Sequence, residues 1–302
     1  MARWVHIVVV IDRCSSALKR LRRGPDKVDV IETKMTAMTQ AVRRARFRNR
    51  VLRTPLVRAR HKGLGAHDVF LSSYPRSGTT WLRFLLYETL TGESARFGVI
   101  RSAVPSVGKQ ADARPVLDGG GRLIQTHETF YDRDRKVIYA VRDARSVVVS
   151  EYSWQQRLRV YTGSLDSFVD DFVRGRSNPW GSWGDHIDFW RNSECARRGR
   201  LHEVRYEDLR GDTENVFRGV LDFLEADVSA DDIRRAIESN SLEGMRAKED
   251  RAKQEGWRPT VRGDIRFVNT GTTGGWRSKL SAEHAAKIEA RFGPTMRSLG
   301  YL

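Results

Sequence analysis

Arg76, His127 and Arg142 each stand just past a short apolar run, where a strand would end and a side chain with chemistry would face outward. The first run, Val69, Phe70 and Leu71, leads into a turn with Pro75 and Gly78 and then into an amphipathic helix through Trp81, Leu82, Leu85, Leu86 and Leu90. Strand, tight loop and helix start make a phosphate cradle. The unpaired N–H groups of the first helical turn and the loop amides point at one spot, which the helix dipole makes favourable for an anion. An ATP-type loop, G-x-x-x-x-G-K-[ST], needs Gly at position 73 and Lys at 79, where this chain has Ser73 and Thr79. The cation is Arg76 instead, so a different phosphate donor is expected; an ordinary strand–helix turn is the plain alternative. His127 follows Leu123, Ile124, Gln125 and Thr126. Imidazole titrates near neutrality and suits removal of a hydroxyl proton, although a lone histidine is more often structural. Arg142 follows the run 137–141, with Ser150 eight residues later. A guanidinium offers phosphate a planar fork of donors and stays charged, and the competing reading is a surface pair with Asp143 or Asp171.

The elements that must position these residues alternate. Strands are expected at 69–72, 123–126, 137–141 and 202–205, with helices near 79–91, 144–158, 165–174, 183–197, 213–225, 231–240 and 282–292. Strands separated by helices predict an α/β fold with a mainly parallel sheet covered on both faces. Ahead of this pattern, residues 35–58 space Met35, Met38, Val42, Ala45, Leu52 and Leu56 at three and four among six arginines, which predicts a basic amphipathic helix ending near Pro55.

The 302 residues carry 39% hydrophobic and 30% charged side chains, the balance of an ordinary globular chain. The longest apolar run, 7–11, is far too short to span a bilayer. Cys14 and Cys195 have no metal-type spacing and imply no disulfide framework, so a reducing cytoplasm is expected. Charge is concentrated at the start. Residues 1–62 hold 17 Lys and Arg against 4 Asp and Glu, a net +13, while 63–302 hold 37 against 34, a net +3. The basic segment suits an anionic membrane or another polyanion, and a helix packed on the domain with its charges in water is the alternative. An Arg-rich start also suggests a transit peptide, which Asp12, Asp26, Asp29 and Glu32 argue against, and Met35 is a second candidate start.

Tyr74, Pro75, Arg76, Ser77, Gly78, Thr79, Thr80 and Trp81 match, position by position, the signature YP-[KR]-SG-[TN]-TW. The chain thereby resembles the sulfotransferases that use 3′-phosphoadenosine-5′-phosphosulfate (PAPS). That resemblance implies a P-loop-NTPase-like three-layer α/β/α domain, taken as 67–302, and the charge distribution sets 1–66 apart as a basic arm. It implies that Arg76 and the 77–80 loop hold the 5′-phosphosulfate, with Trp81 stacking on the adenine. Arg142 and Ser150 match the pair that holds the 3′-phosphate, His127 the catalytic base, and Tyr206 a residue approaching the adenine. Trp183, His186 and Trp190 match packing positions, and Leu242 a segment of the nucleotide wall. The chain departs from the pattern at 267–280, where RKGxxGDW is usual: Asn269 and Thr270 replace the Arg and Lys that grip the 3′-phosphate, and Gly275 replaces Asp. Backbone amides around Gly271 would then bind phosphate, with charge from Arg266 or Arg277. The resemblance runs from 68 to about 280.

The reaction so implied is in-line sulfuryl transfer, without a metal, to a hydroxyl or amine. His127 would deprotonate the acceptor, and Arg76 would stabilise developing charge without donating a proton. The acceptor stays open among small molecules such as phenols, glycans, lipids and peptides. Residues 92–121 and 155–182, with Tyr161, Phe168 and Trp180, are its expected walls. An anionic membrane surface and a second copy of the chain are the expected partners, with no specific nucleic acid, and the location is the cytoplasm or the membrane periphery. Two rivals stand: a P-loop kinase using Asp143 as a magnesium ligand, and a non-catalytic polyanion-binding protein using the arm.

Overall fold

The computed structural model describes residues 50–129, 135–257, 266–268 and 271–302. Contacts divide the chain into Met1–Ala41 and Val42–Leu302, and every described residue belongs to the second unit. The apolar run at 7–11 and most of the expected 35–58 helix lie outside the described residues.

Four strands, β1 (Val69–Ser73), β2 (Leu123–Thr126), β3 (Val137–Val141) and β4 (Leu201–Arg205), form one parallel sheet in the order β2-β1-β3-β4. Every residue of β1, β2 and β3 is buried, as expected of runs covered on both faces. Side-chain alternation sorts them into two cores. Phe70, Ile124, Val137, Tyr139 and Val141 face one side, where they meet α4 (Ala144–Arg157), α5 (Leu165–Val173), α6 (Trp183–Arg191) and α12 (Ala282–Ser298). Val69, Leu71, Leu123, Ile138, Ala140 and Val204 face the other, against α2 (Thr79–Thr91), α9 (Thr213–Leu224), α10 (Ala230–Ser239) and α11 (Leu242–Gln254). Each fully buried aromatic, such as Phe84, Trp183 or Phe217, contributes about 2–3 kcal/mol of transfer free energy.

Three short helices also occur among the described residues: α3 (Ile100–Ala103), α7 (Glu194–Arg197) and α8 (Tyr206–Gly211). The expected helix over 183–197 breaks in two because the Ser193 hydroxyl caps a new turn, accepting from the Ala196 amide, while donating to the Trp190 carbonyl. The helix expected to end near Pro55 instead runs as α1 (Arg50–Arg60). Pro55 costs one backbone hydrogen bond, but Val57 packs on the first core and Arg60 is tied to the Val107 carbonyl at 2.7 Å, which holds the last turn. α12 likewise continues past Pro294, because Met296 is fully buried on the same stripe as Ile288 and Phe292.

Because all strands are parallel, their carboxyl ends share one edge. The residues that follow are the 74–78 loop, His127, Arg142 and Tyr206. α2 and α4, which follow the adjacent strands β1 and β3, lie on opposite faces of the sheet. A crevice therefore opens between Ser73 and Val141, at the switch point where open α/β sheets bind ligands.

Candidate active site

The loop after β1 is held by buried contacts. Tyr74 is buried, donates to the Gly181 carbonyl at 3.1 Å and accepts from Asn178 Nδ2 at 2.8 Å. Arg76 has φ 70°, a left-handed conformation that costs a non-glycine residue about 1–2 kcal/mol. Gly78 has φ 93°, and a Cβ there would lie 2.5 Å from Cδ2 of Tyr206, so only glycine fits. Gly78 also occupies the N-cap of α2 without any side-chain cap, so the first-turn amides at Thr79 and Thr80 remain available for an anion. The Ser77 hydroxyl is buried with no hydrogen-bond partner among the described residues, a donor in need of an acceptor.

His127 sits beside this loop. Its Nδ1 lies 2.7 Å from the Ser73 carbonyl, which can only accept, so Nδ1 carries the proton and Nε2 the lone pair. The Ser73 hydroxyl, 3.4 Å from the same nitrogen, is hydrogen-bonded to the Thr79 hydroxyl and links the histidine to the start of α2. His186 Nε2 donates to the His127 carbonyl at 3.1 Å, and Tyr139 supports His186 Nδ1 at 2.7 Å. Buried Trp183, His186 and Trp190 thus act as the packed frame behind the histidine. The Trp180 ring stands 6.0 Å from the imidazole on the side of the 155–182 segment.

Arg76 does not point along the loop; it turns towards α4. Its Nε donates to Ser150 Oγ at 3.1 Å, and its guanidinium lies 4.9 Å from the Trp154 ring and 5.8 Å from that of Phe267. Arg142 Nη1 donates to the Arg76 carbonyl at 3.2 Å, the guanidinium stacks 4.2 Å over Tyr206, and its Nε is buried without a partner among the described residues. Burial, chiefly, and the neighbouring Arg142 and Arg157 pull Arg76 down to about 10, with Glu151 opposing. Two crowded guanidinium groups and orphaned donors describe a pocket that an anion would neutralise. Asp143 does not pair with Arg142. It caps α4 and is held by Arg145 at 2.7 Å, which commits the carboxylate and leaves it a poor magnesium ligand.

Trp81 lines the far end. Its Nε1 donates to the Asn240 carbonyl at 2.8 Å, its ring stands 6.2 Å from Tyr206 at 71°, and Arg210 lies 5.2 Å over it. Gly271 closes the same end: a Cβ there would be 3.5 Å from Leu242 Cδ1 and 3.6 Å from Arg210 Nη2. Asn269 and Thr270 lie outside the described residues. Arg266 pairs with Asp250 at 3.0 Å and Arg277 lies 4.6 Å over Trp276, so Arg210 is the cation placed beside Gly271. Glu249, fully buried on α11, holds the segment before Gly271 by accepting from the amides of Phe267 and Val268 at 2.7 and 2.8 Å. Arg210 and Trp154 were visible in outline, since each lies four residues after a site residue on the same helix face, Tyr206 and Ser150. Glu249 gave no sequence signal.

Residues 66–300 match the sequence profile of the sulfotransferase domain. The chain belongs to the sulfotransferase domain family. It is 26% identical over 243 residues to rat sulfotransferase 1 family member D1, covering 74% of this chain and 81% of that protein. It is 25% identical over 258 residues to human sulfotransferase 1E1, covering 76% and 84%. Among solved structures, retinol dehydratase in complex with retinol and PAP superposes with a TM-score of 0.62 at 18% identity, over 80% of this chain and 86% of that one. Mouse sulfotransferase SULT7A1 complexed with PAP gives 0.59 at 20% identity, over 77% and 84%. These likenesses show a P-loop-like three-layer fold around the parallel sheet. No helix among the described residues is long and apolar enough to cross a membrane.

Proposed function

We propose that this sulfotransferase-family chain transfers a sulfuryl group from PAPS to a hydroxyl, or an amine, of a small-molecule, glycan or lipid acceptor. The observation that carries the reading is the convergence, at one edge of the sheet, of the uncapped α2 start, the Arg76–Arg142–Ser150 cluster and His127. The relatives are named sulfotransferases and two fold neighbours hold PAP, which fits a donor carrying phosphate at both its 3′ and 5′ positions.

PAPS supplies the activated sulfuryl group, and the acceptor oxygen displaces its phosphate end in line. Ser77, Gly78, Thr79 and Thr80 bind the 5′ end through loop amides and hydroxyls, while Arg142 and Ser150 hold the 3′-phosphate. Arg76 lies between them and supplies charge to both; it remains protonated at neutral pH even at about 10. Trp81 and Tyr206 flank the adenine, with Gly271 closing the far wall. His127 takes the acceptor proton at Nε2, because Nδ1 is committed to the Ser73 carbonyl. Trp180 fits an acceptor with a flat apolar face.

Incubation of the enzyme with 35S-labelled PAPS and an extract of the producing cells tests this directly. A labelled acceptor is expected with wild-type protein and not with His127→Ala, while PAP still binds both. Label transferred equally by the variant would remove His127 from its role.

A further inference from the structure

Glu128 adjoins the histidine, and its side chain is only 2% exposed. A carboxylate so placed is costly unless paired, and its partners come from the end of α1, 67 and 68 positions earlier in the chain. Arg60 Nε lies 2.5 Å from Glu128 Oε1 and His61 Nε2 3.5 Å from Oε2. The same Arg60 donates to the Val107 carbonyl, and Gln110 Nε2 donates to the Arg60 carbonyl at 2.8 Å. Val107 in turn binds back to β2, its amide donating to the Gln125 carbonyl at 2.8 Å. One arginine therefore ties together α1, the segment beside β2, and the loop that leaves β2 carrying His127. Arg60 precedes the residues that match the family profile, which begin at 66.

We infer that Arg60 and Glu128 form a positioning pair that orients the His127 imidazole, making α1 part of the active-site frame. The inference rests on the reading of His127 as the base. With Glu128 2% and Arg60 28% exposed, the pair contributes little net stability, since desolvation offsets its Coulombic gain, but an arrangement that leaves the buried Glu128 carboxylate unpaired is penalised. His127 is thereby clamped on two sides: His186 fixes its carbonyl, and Glu128 fixes the next residue. Only with both in place does Nδ1–H meet the Ser73 carbonyl and leave Nε2 directed at the acceptor.

The test reads the ring itself and needs no acceptor. In full-length protein labelled with 15N-histidine, the His127 signals are identified by their loss in His127→Ala. Wild-type protein is expected to show the Nδ1–H tautomer as the major form, with the other tautomer a small minority. In Glu128→Gln and Arg60→Lys, PAP affinity should stay within about twofold, while the minor tautomer's population rises about tenfold, the ratio corresponding to 1.4 kcal/mol of lost positioning. Arg60→Lys retains the charge and loses the fork, so it serves if Glu128→Gln does not fold. A variant that binds PAP normally and keeps wild-type His127 signals would overturn the pair's role. If His127→Ala instead leaves sulfuryl transfer intact, the base assignment fails while the tautomer measurement still decides the pair.

Discussion

The two ends of the sheet solve opposite problems. At the amino ends, Asp68 is 2% exposed and fully engaged: Arg122 reaches both its oxygens, at 3.0 and 2.7 Å, and the Gly65 and Arg122 amides donate to it at 2.7 and 2.9 Å. Burial pushes the Asp68 carboxyl up, but these hydrogen bonds outweigh it and hold the group below the usual carboxylate range. At the carboxyl ends, Ser77 Oγ and Arg142 Nε are buried without partners among the described residues, Arg76 is left-handed, and two guanidinium groups crowd one pocket. Satisfied charge at one edge supports the fold; unsatisfied donors at the other are held ready for a ligand.

Substitutions should separate these roles. The largest effect is expected from Gly78→Ala, which meets both the positive φ and the Tyr206 ring: PAP affinity should fall by more than about 100-fold, read by calorimetry. Asp68→Asn should cost about 3 kcal/mol in urea unfolding, leaving PAP affinity of the folded protein unchanged, because it breaks a buried pair far from the crevice. Its pH signature has a definite sign. A depressed folded-state carboxyl contributes stability that is present above the unfolded value, near about 4, and is lost as pH falls through the folded value, so wild-type protein should show this acid loss and Asp68→Asn should lack it. Arg142→Ala should weaken PAP about 30- to 100-fold through loss of charge-assisted hydrogen bonds, with unfolding free energy unchanged within about 1 kcal/mol. Ser77→Ala should have the smallest effect, weakening PAP less than about tenfold while stabilising the ligand-free protein slightly, since it removes an orphaned buried donor. A Ser77→Ala protein that is less stable and binds PAP normally would erase the contrast between the two ends.

Much of the carboxyl-end edge was legible in the sequence, and little of what secures it. β2 and β3 match their expected bounds and β1 differs by one residue, because strands buried along their whole length begin in apolar runs; β4, only partly buried with the sequence LHEVR, also differs by one residue. α11 carries no clear sequence signal: its buried stripe is Met245, Glu249 and Ala252, and a buried charge carries no apolar periodicity. α1 past Pro55 is not legible in the sequence because an internal proline signals an end, whereas Arg60 and Val57 hold the helix through contacts made only in the folded chain. Asp68 with Arg122, and Arg60 with Glu128, are pairs 54 and 68 residues apart that no local pattern connects. The direction of Arg76 was also beyond sequence reasoning. The loop pattern places its backbone, but the turn to Ser150, Trp154 and Phe267 depends on how α4 and the 266–268 segment pack.

The central claim is that the cationic cluster reads a 3′-phosphate. Titration of the purified protein with PAP and, separately, with adenosine 5′-phosphate tests it most directly. Arg142 and Ser150, with Arg76 beside them, predict that PAP binds about 100-fold more tightly, the equivalent of one or two charge-assisted hydrogen bonds. Equal affinity for the two nucleotides would contradict the account.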